Sequence, residues 1–466
     1  MTAIRPGGAG RRGAVGERAA EAGGRRPTVG GGGLLTDLYE LRMAASYLRR
    51  GMVGPATFSL FVRRLPTSRG FLVACGLEDC LDDLEAFGFA EDELAYLAQL
   101  GFPAADLERF RRLRFRGDVW AVPEGRIVFA GEPLLEVTAP IAEAQLVETL
   151  LLNHLTFQTT IASKAARCYL AADGRTLVDF SFRRTQGVEA GLAVARASAV
   201  AGFSATSNVE AARRHGLTAA GTMAHSYIEA FANEAEAFAA FAQDFPSPAV
   251  FLVDTYDTLE GVRTLIRLLR SGRVRRAAGI RLDSGDLARL AREARALLDA
   301  AGLGEVSVLA SGGLDEHAIA ALVREGAPID AFGVGTRMGV SADEPFLDTA
   351  YKLVQLGERP VMKLSPGKAT WPGPKQVFRD RLRDRVGLRD ESPPPGTVPL
   401  LEPVMRGGRR LQRSETVAAA RARFEADLAV LPPPAVALVR PRPPMVEVTP
   451  ALRQLRRRTR RALVRA

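Results

Sequence analysis

The strongest constraint on the fold is a repeated alternation over the middle of the chain. After the long helical run "AQLVETLLLNHLTFQTTIASKAARCYLAA", six short apolar segments appear in turn: "TLVDFS", "TAAGTMA", "AVFLVDTYD", "AGIRLDSGD", "VSVLASGG" and "DAFGVGT". Each ends in small or polar residues and hands over to a helical pattern. In "GDLARLAREARALLDAAG", Leu287, Leu290, Ala294, Leu297 and Leu298 share one face and arginines the other. Strands that alternate with amphipathic helices are parallel strands in βαβ units. No GxGxxG opens the first unit, so a dinucleotide-binding sheet is disfavoured and an α/β fold with an irregular (β/α) barrel is expected. Chemistry in such barrels sits on the loops that follow the strands.

That rule gathers scattered residues into one candidate site: Asp179, Phe180, Arg183 and Arg184; Thr222, His225 and Ser226; Asp254 and Asp257; Arg281, Asp283 and Asp286; Ser311, Gly312 and Gly313; Gly333, Gly335, Thr336 and Arg337. His225 is one of only four histidines, so its place at a strand end invites a chemical role beside the ordinary structural one. "ASGG" and "GVGT" follow consecutive late strands, where glycines let backbone N–H groups approach a phosphate. In "IRLDSGD", Arg281 suits an anionic substrate. Asp283 suits ribose hydroxyls or a Mg²⁺ carried on diphosphate, while a helix cap is the structural alternative for these acids. "DFSFRRTQG" offers a ring and two cations, the equipment for a flat heteroaromatic carboxylate.

Outside this region the chain divides unevenly. Residues 1–33, Gly/Arg-rich, read as a disordered tail. Residues 34–145 read as an N-terminal α+β domain completed by about 376–440, with the barrel over 146–375 and a basic tail over 441–466. The net charge of +10 is concentrated in the ends: residues 1–33 carry +4 and 406–466 carry +11, which leaves 34–405 at −5. The tail "LRRRTRRALVRA" has no interleaved aromatics, so a solvated terminus is expected and nucleic acid is not. Only five basic residues are Lys, and four of them (Lys352, Lys363, Lys368, Lys375) fall close together, which suggests that a compact ammonium is wanted there. Three cysteines without a CxxC indicate neither a disulfide framework nor a zinc site. No apolar run reaches membrane-spanning length and no signal-like segment opens the chain, so a cytoplasmic protein without membrane contact is expected.

With these motifs in view, the chain resembles nicotinate phosphoribosyltransferases. The resemblance runs through "LLTDLYELRMAASY", "FSLFVRRLP", "LVETLLLNHLTFQTTIASKAAR", "DFSFRRTQG", "GFSATSN", "GTMAHSYIEAF", "VDTYDTLEGV", "RLDSGDL", "GVGT" and "YKLV…MKLSPGKATWPG", over about residues 34–378. It implies a barrel of the type II phosphoribosyltransferase kind, a second α+β domain built from both chain ends, and an active site at a homodimer interface. Nicotinate, phosphoribosyl diphosphate and ATP are the implied substrates and Mg²⁺ the implied cofactor. By motif, Tyr39 covers the pyridine from the neighbouring subunit, and Phe180 lies on its other face. Arg183, Thr222, Ser226 and Arg281 serve substrate binding, and Gly312, Gly313, Gly333, Gly335 and Thr336 hold phosphate. Asp283 and His225 are catalytic, with His225 as the phosphohistidine. The residue types alone also admit a nicotinamide-using or other pyridine phosphoribosyltransferase, and a non-catalytic phosphosugar-binding barrel.

Overall fold

The computed structural model describes residues 31–365, 370–381 and 383–465. Six parallel strands form the central sheet: β1 (Thr176–Asp179), β2 (Ala205–Thr206), β3 (Ala249–Leu252), β4 (Ala277–Leu282), β5 (Ser307–Ala310) and β6 (Ala331–Val334). Their order, β2-β1-β6-β5-β4-β3, is chain order wrapped round a ring that stays open between β2 and β3. The expected irregular barrel is therefore a curled, unclosed sheet. Its gap lies where "TAAGTMA" was expected to supply a full strand. That segment contributes only the bridge between Thr206 and Ala219. Residues 217–222 are half-exposed or exposed, and without a buried alternating face nothing holds them in a ladder.

Helices cover the outside of the sheet through the faces the periodicity predicts. In Leu287–Ala300, Leu290, Ala294 and Leu298 are buried, with Leu287 and Leu297 packed against the same core. The helix Glu148–Ala172 runs beside the barrel, and its second half is almost continuously buried. At about 25 cal/mol per Å² of apolar surface, a large aliphatic or aromatic side chain in such a core contributes roughly 1.5–3 kcal/mol.

A second core lies under a seven-stranded sheet whose strands come from distant parts of the chain. In spatial order they are Arg359–Pro360, Thr349–Leu356, Pro55–Val62, Pro133–Pro140, Asp118–Ala121, Glu402–Arg406 and Arg409–Arg410. A four-stranded sheet (Val398–Pro399, Lys375–Asp380, Arg383–Leu388, Glu447–Val448) adjoins it.

Four boundaries differ from the sequence reading. Residues 349–356, assigned above to the barrel, pair with Pro55–Val62 instead, and Arg359–Pro360 pairs in turn with Gln355 and Leu356. The helix Val417–Leu428, assigned to the end domain, buries Ala420 and Phe424 in the barrel core. Gly31–Gly33, assigned to the tail, meet Gly88, whose N–H donates to the Gly31 carbonyl at 2.8 Å; a Cβ on Gly33 would lie 2.5 Å from the Phe89 ring. The rest of the expected disordered segment lies outside the described residues. The C-terminal segment is no solvated tail either: Pro450–Arg465 is a helix with Leu452 fully buried. No helix among the described residues is long and apolar enough to cross a membrane.

Candidate active site

The loops after β1, β4 and β5, with the segment that precedes His225, meet around one guanidinium. Arg281, one residue before the end of β4, donates from Nε to Ser311 Oγ (2.8 Å), from Nη1 to Thr222 Oγ1 (3.1 Å) and from Nη2 to Asp283 Oδ1 (2.6 Å). Its carbon sits 5.3 Å from the centroid of the Phe180 ring, within cation–π range. A guanidinium has five N–H donors, so three internal bonds fix its plane and leave two for a ligand.

Phe180 is placed by what precedes it. Asp179 is fully buried at the end of β1, and it accepts from Ser181 N (2.9 Å), Ser181 Oγ (2.5 Å) and Thr206 Oγ1 (2.8 Å). Burial raises its carboxyl above the ordinary range, against these hydrogen bonds. Asp179 thereby pins the loop that carries Phe180. A Cβ on Gly333 would come within 2.4 Å of the Phe180 ring, so that glycine makes room for the aromatic. Gly312 has a φ of +93°, and a Cβ there would lie 1.9 Å from the Asp283 carbonyl oxygen, so it locks the β5 loop against the β4 loop. Gly313, at φ +64°, has open space where its Cβ would be. It is the glycine that leaves backbone open to an approaching anion.

The acids of the strand ends separate into two kinds. Asp257 and Asp286 are helix caps, accepting from Glu260 N (2.8 Å) and Arg289 N (3.0 Å). Asp283 instead faces the mouth, where Ser311 Oγ and Arg281 both donate to its Oδ1. Burial works against its charge, but those two hydrogen bonds, the Arg281 charge and the nearby His225 hold the carboxyl below its usual range. It is an anion at neutral pH. Asp254 accepts from Asp283 N (2.8 Å) and Ser284 Oγ (2.9 Å) through Oδ2, while its Oδ1 is buried without a hydrogen-bond partner.

His225 opens the short helix His225–Glu229, and its Nδ1 lies 3.2 Å from Thr255 Oγ1. Thr255 was not selected from sequence, although it directly follows Asp254 at the end of a strand. The mouth thus unites Phe180, Thr222, His225, Asp254, Arg281, Asp283 and Ser311.

Other selected residues stand apart. Arg183, Arg184, Ser226, Thr336 and Arg337 are exposed at the rim, and Arg337 donates to Asp315 at 2.6 Å. Gly335 precedes the one-turn helix Thr336–Gly339. Tyr39 lies on the helix Leu38–Arg49, 49% exposed, with its hydroxyl donating to Glu40 at 3.1 Å. Within one chain it does not join the mouth. Of the lysine cluster, Lys375 is buried and donates to the Gly373 carbonyl (2.8 Å), Lys352 donates to the Tyr351 carbonyl (2.6 Å), Lys363 is exposed, and Lys368 lies outside the described residues.

Comparison with known proteins gives one answer. Three family models match in sequence: the nicotinate phosphoribosyltransferase (NAPRTase) N-terminal domain over residues 34–156, the NAPRTase family over 175–359, and the nicotinate phosphoribosyltransferase C-terminal domain over 389–456. The chain is 48% identical over 410 residues to nicotinate phosphoribosyltransferase pncB2 of Mycobacterium tuberculosis, covering 86% of this chain and 88% of the relative. It is 44% identical over 356 residues to nicotinate phosphoribosyltransferase of Bacillus subtilis, covering 74% and 72%. The crystal structure of human nicotinic acid phosphoribosyltransferase superposes with a TM-score of 0.81 at 30% identity, over 91% of this chain and 99% of that one.

Proposed function

The chain belongs to the nicotinate phosphoribosyltransferase family, and from that membership we propose how its barrel mouth performs the reaction. The enzyme joins nicotinate to the ribosyl carbon of phosphoribosyl diphosphate, releasing diphosphate, in NAD biosynthesis. The observation that carries the site assignment is Arg281, held in plane by Ser311, Thr222 and Asp283 beside the Phe180 ring.

In this reading the two free N–H groups of Arg281 take the nicotinate carboxylate, and Phe180 bounds the pyridine ring. Loss of diphosphate leaves positive charge on the ribose carbon, which the Asp283 carboxylate stabilises. The fixed ring nitrogen then attacks in line. Gly313, with open space beside its backbone, and Thr336 at the rim border the ribose phosphate. The orphaned Oδ1 of Asp254 and the anionic Asp283 fit a Mg²⁺ brought in on diphosphate, which would neutralise charge on the leaving group. Tyr39, exposed and remote from the mouth of its own chain, reaches a pyridine only in a homodimer. Three free, buried cysteines suit a reducing cytoplasm.

ATP enters through His225. With Nδ1–H donating to Thr255 Oγ1, Nε2 carries the lone pair that attacks the γ-phosphorus: an N–P bond forms, the P–O bond to ADP breaks, and water later returns phosphate. The modification puts charge next to Asp283 and so biases substrate and product binding differently.

His225→Ala should keep its folding temperature, because the imidazole is only half-buried. It should lose nicotinate-dependent ATP hydrolysis while retaining ATP-independent ribosyl transfer. ATP hydrolysed per mononucleotide formed is the measurement, and retained coupling would remove His225 from the ATP step.

A further inference from the structure

The helix Pro450–Arg465 carries six arginines between positions 453 and 461 and no acidic residue along its length. Its apolar side is already used: Leu452 is fully buried, Thr459 is 6% exposed, and Arg456 stacks 4.3 Å from the Trp371 ring centroid. The strand Glu447–Val448 pairs in parallel with Arg385 and Val386, and Thr449 Oγ1 donates to Glu391 at 2.8 Å, so the start of the helix is fixed to the folded body. Its outer side presents Arg453, Arg457, Arg458, Arg460 and Arg461, all exposed and none in an ion pair with the described residues. Positions 453, 457, 460 and 461 recur at helical spacing and form one stripe, about 12 Å long at a rise of about 1.5 Å per residue.

Fixed cations on an ordered helix differ from a solvated tail, because no chain ordering has to be supplied on binding. We propose that this stripe binds the phosphodiester backbone of duplex nucleic acid without sequence preference. Charge complementarity selects the occupant: a duplex carries about one negative charge per 1.7 Å of axis counted over both strands, so roughly seven phosphates lie within the length of a stripe of about 12 Å. Arg forks match phosphate oxygens. A lipid surface fits less well, since the apolar side of the helix is spent inside the protein and only Leu463 and Val464, at its last turn, stand exposed. A protein partner fits less well too, for the stripe has no aromatic or aliphatic anchor. The absence of aromatics on the stripe also removes base stacking, leaving backbone contacts that carry no sequence information.

The test uses the full chain and a fluorescein-labelled 24-base-pair DNA duplex, followed by anisotropy from 50 to 200 mM salt. With about five phosphates neutralised, log K should fall with log salt at a slope near −4.5, an affinity loss of about 500-fold over that range. Replacing Arg457, Arg458, Arg460 and Arg461 together by Gln should weaken binding at 50 mM salt by more than about tenfold and reduce the slope by about four. Its melting temperature and rate of nicotinate mononucleotide formation should stay unchanged. A scrambled duplex should bind equally well. No binding at 50 mM salt, equal binding by the Gln variant, or tighter binding to phosphatidylserine vesicles than to the duplex would each overturn the proposal. Because turnover is read on the same preparations, failure here and failure of the enzymatic assignment are separable.

Discussion

Two polar clusters flank the barrel, and they treat charge in opposite ways. One is closed. Glu316, fully buried, contacts Lys164 Nζ (2.5 Å) and accepts from Arg167 Nε (2.8 Å); Lys164 also reaches Asp343 (2.8 Å), which accepts from Arg69 (2.7 Å). Arg167 spends another donor on the Leu438 carbonyl at 2.7 Å. Every charge in this set has an opposite charge beside it, and the set ties together the loop near residue 69, the long helix, the helix Glu316–Arg324 and the C-terminal region. The other cluster is the mouth, where Arg281 keeps two donors free and Asp254 Oδ1 is buried without a hydrogen-bond partner. Glu234, at the start of the helix Glu234–Asp244 and close enough to Asp254 to feel its charge, also has a buried Oε1 without a partner. In the closed cluster the protein supplies a counter-charge to every group; even Glu316 Oε2, which makes no hydrogen bond, sits against the Lys164 ammonium. The mouth leaves valences for something the chain does not contain.

The contrast breaks most visibly at Glu316. Glu316→Ala leaves Lys164 and Arg167 buried without their carboxylate, a change worth about 3–5 kcal/mol, and should depress the unfolding midpoint and the yield of folded protein. A midpoint within experimental error of wild type would show that the closed cluster is not structural.

Arg281→Lys probes the opposite case. A point charge cannot hold Ser311, Thr222 and Asp283 at once, so kcat/KM for nicotinate should fall about 100-fold, equivalent to about 2.7 kcal/mol, with a far smaller change in melting temperature. Unchanged kinetics would take Arg281 out of the site.

The smallest effect concerns Glu234, whose carboxyl is pushed up to about 7, first by burial and then by Glu260, Asp257 and Asp254. Between its unfolded value near 4.5 and about 7 the native state holds more protons than the unfolded one, so its contribution to stability declines as pH rises and is lost above about 7. Glu234→Gln should therefore stabilise the protein by about 1 kcal/mol at pH 8, allowing for screening at a half-exposed position, and by nothing at pH 4. Denaturant midpoints at both pH values decide it. Equal shifts at both would mean that Glu234 does not titrate in this range.

The mouth was legible because strand ends are punctuated: Phe180, Thr222, His225, Arg281, Asp283 and Ser311 each follow or close a short apolar run. What escaped did so for physical reasons. Thr255 differs in no local signal from the neighbouring loop residues, and only the fold brings it to His225. The strand Thr349–Leu356 looks like one more strand of the alternation, and its partner at Pro55–Val62 is set by long-range pairing that no local pattern encodes. In the C-terminal helix the sign of amphipathicity was present at Leu452, Leu455 and Thr459, spaced three and four apart, but the arginines between them read as a solvated run. Gly312 and Gly333 looked like phosphate glycines, yet close packing against Asp283 and Phe180 already requires both.

The pairing of Pro55–Val62 with Thr349–Leu356 also sets a schedule for biosynthesis. One edge of the early strand meets Pro133–Pro140 soon after it leaves the ribosome. The other waits for a segment about 290 residues downstream, an interval of roughly 15–60 s at about 5–20 residues per second. Throughout that interval "ATFSLFV" presents an unpaired row of backbone donors and acceptors, the kind of edge that recruits foreign strands. The nascent chain is thus most exposed to misassembly while its barrel is being made, and synonymous changes that slow translation between residues 140 and 349 would lengthen that exposure without altering a single contact of the finished enzyme.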